Sequence, residues 1–529
     1  MKKQFVMIMC DTQRWDMLNC YRQTGLQTPH LDALAAGGVR YERAYAVQPV
    51  CGPARSAIFT GLMPSVNGAW ANDMPLYANV RTLGQRLAKH GVHAAYIGKY
   101  HLDGSDYFGT GECPEGWDPE YFYDMRMFLE ELPERERVLS RSALSMKFRP
   151  VRKEDTFGGK VTARAIDFMN RHREEDYFLV VSFDEPHHPF LCPPPFDHLY
   201  DGYEFPVTPN VLDTLEGKPD YQRVWSGKRR LADREKVRIV HSAYFGCHSY
   251  VDDLVGQLLR VIPETAAVLY TADHGDMLES HSLDSKGAVS YEEATRVPLL
   301  FRHPDGERGR VYSRQPVSHL SISPTVMEYF NLPASPAFHA ESMLNTVLDV
   351  QAPHAEAYCF MEFGRFCQGN DTNGGLQLIR AVTDGHWKLA VNLTSTDELY
   401  HLDTDPYEMS NLIDNPAHVE ARNRLHDALT GHMDACRDPF RGYCWERRPW
   451  RTDAPGASWP GHGFRRQRPY DGYEPRELDY ATGLEISACQ RKIVQPEQFA
   501  DCGSLDELAE KMIATHKAPR LSDGHKCGE

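Results

Sequence analysis

The sequence has no long hydrophobic run. Its opening apolar stretch, Phe5 to Met9, is far short of the roughly 20 residues that span a bilayer, so no membrane protein is expected. Met1-Lys2-Lys3 carries the charge of a signal peptide, but Asp11 stands where a small-residue cleavage site belongs. The stretch is therefore read as the first strand of the mature fold, and a cytoplasmic protein is expected. A cysteine pattern is missing too. The 13 Cys are odd in number and include no Cys-x-x-Cys pair, which argues for reduced thiols over a disulfide framework or a zinc ribbon. Positive charge is scarce: 58 Lys and Arg against 74 Asp and Glu leave a net charge of −16, so nucleic acid is not the expected partner. An anionic substrate would need its own local cluster of Lys, Arg and metal. No internal repeat is present.

What the chain does have is length and an alternation of strands with helices. Its 529 residues would suggest roughly three or four domains, but candidate site residues run from 11 to 286 and need one large domain. Continuous apolar runs predict buried strands at Phe5–Met9, Val92–Ile97, Tyr177–Phe183 and Ala266–Thr271. Helices are predicted from Thr28 as cap and Pro29 to Gly37-Gly38, and over Leu83–His90, Lys160–Arg171 and about 235–260. Residues 106–160 and 197–235 are charge- and turn-rich and are expected to be surface excursions. The fold class is therefore α/β, a large, mostly parallel sheet with helices on both faces. Beyond residue 370, short runs at Leu378–Thr383, Trp387–Leu393 and Glu398–Leu402 predict an antiparallel meander under a helix over Pro416–Cys436. The expected division is a catalytic domain, 1–370, a small sheet-and-helix domain, 371–445, and an extended tail on the surface, 446–529.

Four of these strands deliver polar residues just past their carboxyl ends. They are Asp11; Gly98-Lys99-Tyr100-His101; Glu185-Pro186-His187-His188-Pro189; and Asp273-His274-Gly275. Ligands of open α/β sheets bind along that edge, so the four sets should converge. Asp11, Asp273 and His274 together make a hard-cation set: carboxylates suit Mg²⁺, Ca²⁺ or Mn²⁺, and an imidazole tolerates Mn²⁺ or Zn²⁺. Cys51-Gly52-Pro53-Ala54-Arg55-Ser56 opens a predicted helix, with Pro53 in the first turn and Cys51 at the end where free N–H groups attract anions. A lone Cys before a helix is usually a small buried apolar group. The company of the other motifs overturns that reading.

Cys51-x-Pro53-x-Arg55, with Ser56 and then Thr60-Gly61, has the form of the sulfatase signature. Asp273-His274-Gly275-Asp276, Lys286-Gly287 and the run from Tyr291 to Pro298 resemble the second signature. From residue 5 to about 440 the chain resembles the type I, formylglycine-dependent sulfatases of the alkaline-phosphatase-like superfamily, whose small carboxy-terminal sheet-and-helix domain also matches. The resemblance implies that a maturation enzyme oxidises Cys51 to formylglycine, whose hydrate is the nucleophile. It implies one divalent metal ion held by Asp11, Cys51, Asp273 and His274, calcium by family default and manganese or zinc otherwise. Lys99 would contact the nucleophile and the sulfate, His101 its hydroxyl proton, His187 the leaving oxygen and Lys286 the sulfate. Arg55 would brace the nucleophile's turn and help offset oxyanion charge.

The chain departs from the usual pattern in three places. Thr12 and Gln13 follow Asp11 where the family has a second Asp. His274 takes a place that is often Asn, and Ser321 stands where relatives often carry Asp. The first two departures resemble the phosphonate monoester hydrolase branch. Asn72-Asp73 and Asp103 to Asp106 either line the substrate pocket or cap loops. The expected substrate is a small sulfated saccharide. Aryl or steroid sulfates, a phosphonate or phosphodiester, and a non-catalytic sulfated-sugar binder that keeps Cys51 as a thiol are the alternatives. A polar site near the surface is expected, so that Cys51→Ala should cost little stability.

Overall fold

The computed structural model describes residues 2–104, 107–142, 145, 146, 148, 151–227, 237–367, 372–451 and 501–517. Its centre is a seven-stranded sheet in the order His93–Gly98, Tyr177–Ser182, Gln4–Cys10, Ala267–Ala272, Leu299–Arg302, Val39–Tyr41, Arg310–Tyr312. The first four are parallel and adjacent, and they are the four strands whose ends carry the motifs. Leu299–Arg302 alone runs against its neighbours. Gln4–Cys10 is buried along its whole length, which is why it reads as an unbroken apolar run.

Register shows that helices cover both faces. Phe5, aligned with Phe178 and Ala94, shares a face with Tyr96, since side chains alternate along a strand. Tyr329 of the helix Ile322–Tyr329 packs on Phe5, and Phe59 of the helix Cys51–Thr60 packs on Tyr96. Tyr177 has the opposite parity and meets Phe168 of the helix Phe157–Arg171. The long helix Ser242–Leu259 packs against that helix and against Pro29–Ala36.

Two expectations change here. Thr28 does not cap Pro29–Ala36 with its side chain; the Asp252 carboxylate, from the long helix, accepts the N–H groups of His30 and Leu31 at 3.2 and 2.8 Å. A tertiary contact takes the place of the local cap. The described part of 106–160 is not a surface excursion either. Trp117, Tyr121, Phe122, Tyr123 and Phe128 belong to the main core, carried on turns and a short helix that show no period, and Phe157, also in the core, opens the helix Phe157–Arg171 three residues before its expected start.

The small antiparallel sheet has the order Cys359–Phe363, Ile379–Thr383, Trp387–Asn392, Glu398–His401. Leu425, Leu429 and Met433 of the helix Val419–Ala435 pack on Val382, Leu389, Val391 and Leu399. Of the expected tail, residues 452–500 and 518–529 lie outside the described residues. Leu505–Lys517 is a helix and not extended tail, as the apolar spacing of Leu505, Leu508, Ala509, Met512 and Ile513 allows, and it docks on the helix Glu134–Leu139. Among the described residues no helix is long and apolar enough to cross a membrane.

Candidate active site

The site lies across the carboxyl ends of the four parallel strands. Backbone bonds knit those ends together: Asp273 N–H to Cys10 C=O at 3.1 Å, Gln13 N–H to His274 C=O at 2.9 Å, and Lys99 N–H to Ser182 C=O at 2.9 Å. Two glycines make this closeness possible. A Cβ on Gly98, at φ +117°, would lie 1.9 Å from the Ser182 carbonyl oxygen, and one on Gly275 would lie 1.9 Å from that of Glu293. The helix Cys51–Thr60 points its amino end at the same place, and Asn72 Oδ1 caps it by accepting the Gly52 N–H at 2.8 Å.

Asp11, Cys51, Asp273 and His274 each bring a ligand atom to one point, all within 4.8 Å of one another. Each residue is at most 1% exposed, so the polar site expected near the surface is in fact buried. His274 Nδ1 lies 2.8 Å from the Gly275 carbonyl oxygen, which assigns the proton to Nδ1 and leaves a lone pair on Nε2. Nε2 is 3.3 Å from Cys51 Sγ, 3.8 Å from Asp11 Oδ1 and 3.7 Å from Asp273 Oδ1. Burial, then the nearby Lys286 charge, pulls the His274 pKa well below its ordinary value and keeps the ring neutral. Burial opposes ionisation of Asp11, but the Lys99, Lys286 and Arg55 charges outweigh it and hold its carboxyl well below the usual range. Burial and the Asp11 charge push Asp273 up. A cluster of acceptors facing one another, with two competing carboxylates and a neutral imidazole, fits a divalent cation. As an unmodified thiol, Cys51 is pushed by burial and Asp11 up to about 12.

Arg55 fits the bracing part of its expected role and not the oxyanion part. Its Nε reaches Asp273 Oδ2 at 3.0 Å and Nη2 reaches Asp11 Oδ2 at 3.2 Å, while Nη1 donates to the Lys99 carbonyl at 2.6 Å and Ser182 Oγ at 2.8 Å. Fully buried, with its donors on the two carboxylates and two strand ends, it braces the ligand set and does not face an oxyanion.

Lys99 and Lys286 flank the cluster. Lys99 Nζ lies 2.7 Å from Asp11 Oδ2 and 3.1 Å from Asp184 Oδ1; Lys286 Nζ lies 3.1 Å from Thr12 Oγ1 and 3.9 Å from Asp11 Oδ1. Thr12 Oγ1 donates to Asp11 Oδ1 at 2.6 Å, and its N–H donates to Asp273 Oδ1 at 3.1 Å. Gln13 turns away into a buried network with Tyr270 and His248. His101, at φ +55° and 6% exposed, has no hydrogen-bond partner on either ring nitrogen among the described residues. His187 is half-buried; its Nδ1 lies 2.8 Å from the His188 carbonyl oxygen and 3.0 Å from Tyr107 Oη.

All nine predicted residues thus gather in one region. Sequence reading missed Tyr107 and Asp184. The Tyr107 hydroxyl donates to Asp184 Oδ1, and Lys99 Nζ sits 3.7 Å from the centre of its ring. Asp184 follows the strand Tyr177–Ser182, a position that could have flagged it. Tyr107 lies in an aperiodic segment and gave no signal. Asp103 caps a turn by accepting the Thr110 N–H, and Asp106 lies outside the described residues. Ser321 is buried, with Oγ 3.5 Å from His354 Nε2, apart from the cluster.

Comparison with known proteins agrees with this geometry. The sulfatase family model matches residues 3–332, and the model of the N-sulphoglucosamine sulphohydrolase carboxy-terminal region matches 281–435. The chain belongs to the sulfatase family, a family of sulfuric ester hydrolases. Over 493 residues it is 39% identical to YidJ, an uncharacterised sulfatase of Escherichia coli strain K12, covering 91% of this chain and 97% of that one. Its fold matches the phosphonate monoester hydrolase of Agrobacterium radiobacter with a TM-score of 0.68 at 19% identity, over 82% of this chain and 96% of the other. It also matches BT4656, solved in complex with its substrate D-glucosamine-2-N,6-O-disulfate, with a TM-score of 0.67 at 18% identity, over 83% and 99%.

Proposed function

We propose that the protein hydrolyses a small sulfated saccharide, using formylglycine derived from Cys51 and a divalent ion held by Asp11, Asp273, His274 and residue 51. The observation that carries this reading is the convergence of those four residues between two buried lysines. A formylglycine hydrate supplies an oxygen nucleophile and a second hydroxyl able to expel sulfate without attack by water on a second ester. The ion would favour the ionised nucleophile and offset charge on a sulfuryl oxygen; a donor set with an imidazole suits manganese or zinc as well as calcium.

The chain's own residues do the rest. Lys99 and Lys286 bring ammonium groups to opposite oxygens of Asp11, and so to the edge where a sulfuryl group would lie. The unpartnered ring of His101 is placed to take the nucleophile's hydroxyl proton. His187 is placed to protonate the leaving oxygen. Burial, then Lys286 and Lys99, keeps it neutral in the free protein, and an arriving sulfate anion offsets those charges and raises its proton affinity. The saccharide assignment draws on the sulfated glucosamine bound by BT4656.

Thr12 and His274 favour a second reading, hydrolysis of phosphonate monoesters or phosphodiesters. Rates on sulfate esters, phosphonate monoesters and phosphodiesters with one pure preparation decide between them. Higher kcat/KM on sulfate esters is expected, and the reverse order would replace the sulfatase reading with the second.

A further inference from the structure

A cavity of about 550 Å³ opens beside the catalytic cluster, a size within the range of small-molecule sites. It meets the cluster at His187 and at Asp184, the carboxylate that Lys99 reaches. From there it extends between the helix Met125–Glu130, the helix Glu134–Leu139 and the first turn of Phe157–Arg171. Phe128, Leu132, Leu139 and Phe157 give it an apolar wall, and its polar lining mixes cations such as Arg141 and Lys160 with carboxylates such as Glu131 and Glu136. The Arg141 guanidinium is 3.8 Å from Asp184 Oδ2, rests near the ring faces of Phe108 and Tyr107, and is 24% exposed.

Leu505, the first residue of the helix Leu505–Lys517, also lines it. That helix lies beyond residue 435, where the matched family models end, so the common sulfatase scaffold does not supply it. Its docking is apolar at heart: Leu508 and Ala509 are 0% and 3% exposed and pack with Leu139. An exposed ion pair between Arg135 and Asp506, at 2.5 Å, adds orientation and little stability.

We propose that this carboxy-terminal helix is a specificity element, with Leu505 forming one wall of the pocket that receives the alcohol portion of the sulfate ester. The inference rests on the sulfatase reading. In that reading the leaving oxygen departs beside His187, and the alcohol must extend away from the two lysines. The cavity that meets His187 is where it goes. An apolar wall rimmed by both cations and carboxylates suits a sugar ring, which offers C–H groups on its face and hydroxyl groups at its rim. Cleavage leaves the alcohol in this cavity and sulfate among the lysines.

The experiment uses the full chain with Leu505→Trp, which fills the cavity, and Leu508→Asp, which undocks the helix. Each variant's thermal unfolding is checked against the parent. KM is measured for a sulfated monosaccharide and for nitrophenyl sulfate, and Ki for inorganic sulfate, which has no alcohol portion. The expected result is a KM raised about tenfold or more for the sugar sulfate in both variants, with Ki for sulfate within about twofold of the parent. Unchanged KM in either variant, or equal changes in KM and Ki, overturns the inference while an active parent leaves the sulfatase reading standing. A parent protein that turns over no sulfate ester overturns that reading and the inference with it.

Discussion

At Thr12 a β-branched residue holds φ at +63°, a conformation that such side chains avoid and that concentrates at functional sites. Its hydroxyl joins Lys286 to Asp11, and its N–H holds Asp273. A neutral side chain thus stands after Asp11 and orients both that carboxylate and Lys286. Thr12→Ala should lower metal affinity or kcat/KM by about 10–100-fold, the usual effect of losing such a partner, and Thr12→Ser should restore most of it. Metal content and rate together check this; an Ala variant with parental values for both would remove Thr12 from the site. His187 and Lys286 separate by chemistry. A sugar alkoxide needs a proton as the S–O bond breaks, and that help is typically worth about 10²–10⁴-fold. His187→Ala should therefore cripple hydrolysis of a sugar sulfate and cost a nitrophenyl sulfate far less. Lys286→Ala should slow both alike, because the sulfuryl group is common to them. Equal losses for His187→Ala would move the acid role to another group.

At the level of elements, the fold works by bringing four strand ends side by side, and their close packing depends on what stands at the opposite ends as well. His93 opens the edge strand His93–Gly98 and lies 2.6 Å from Asp118 and 2.9 Å from Glu175. Partial burial pulls its pKa down, but the hydrogen bonds to Glu175 and Asp118 outweigh this and raise it above 6.5. A raised folded-state value means that the clamp's stabilisation is full below the ordinary histidine pKa and is lost as pH rises through the raised one. The difference in melting temperature between the parent and His93→Gln should therefore be larger at pH 6 than at pH 8.5; a difference that grows with pH would contradict the assignment. The four site strands were legible because strands buried on both faces are unbroken apolar runs, and their ends are where an α/β sheet places its chemistry. The cap on Pro29–Ala36 was not legible, because Asp252 supplies it from 222 residues away, as its bond to His30 shows. Leu505–Lys517 was legible and was passed over: Leu505, Leu508, Ala509, Met512 and Ile513 follow the helical i, i+3, i+4, i+7, i+8 spacing, and Ser504 with Glu507 marks its start.

For the whole molecule, a net charge of −16 is reconciled with an anionic substrate by concentrating cations at one buried place. Lys99 and Lys286 come from a strand end and a loop, and the loop is in turn held by Asn373, whose side chain donates to the Lys286 carbonyl at 2.9 Å. Sequence reading identified the site's cations by motif, and the bonds of Arg55 fit the bracing part of its expected role and not the oxyanion part, since a motif records that a charge is present and not which way it faces. The burial of Cys51 also changes an expectation. Cys51→Ala removes a packed side chain that is 1% exposed, so a stability cost of about 1 kcal/mol accompanies the loss of activity, where a site near the surface would have cost little.

The central claim is that residue 51 acts as formylglycine and not as cysteine. The most direct test is the mass of the peptide carrying residue 51, taken from protein made together with a formylglycine-generating enzyme and assayed beforehand on a sulfate ester. The account predicts the aldehyde or its hydrate in proportion to specific activity across preparations. An unmodified Cys51 thiol in protein that turns over sulfate esters at full rate would contradict it.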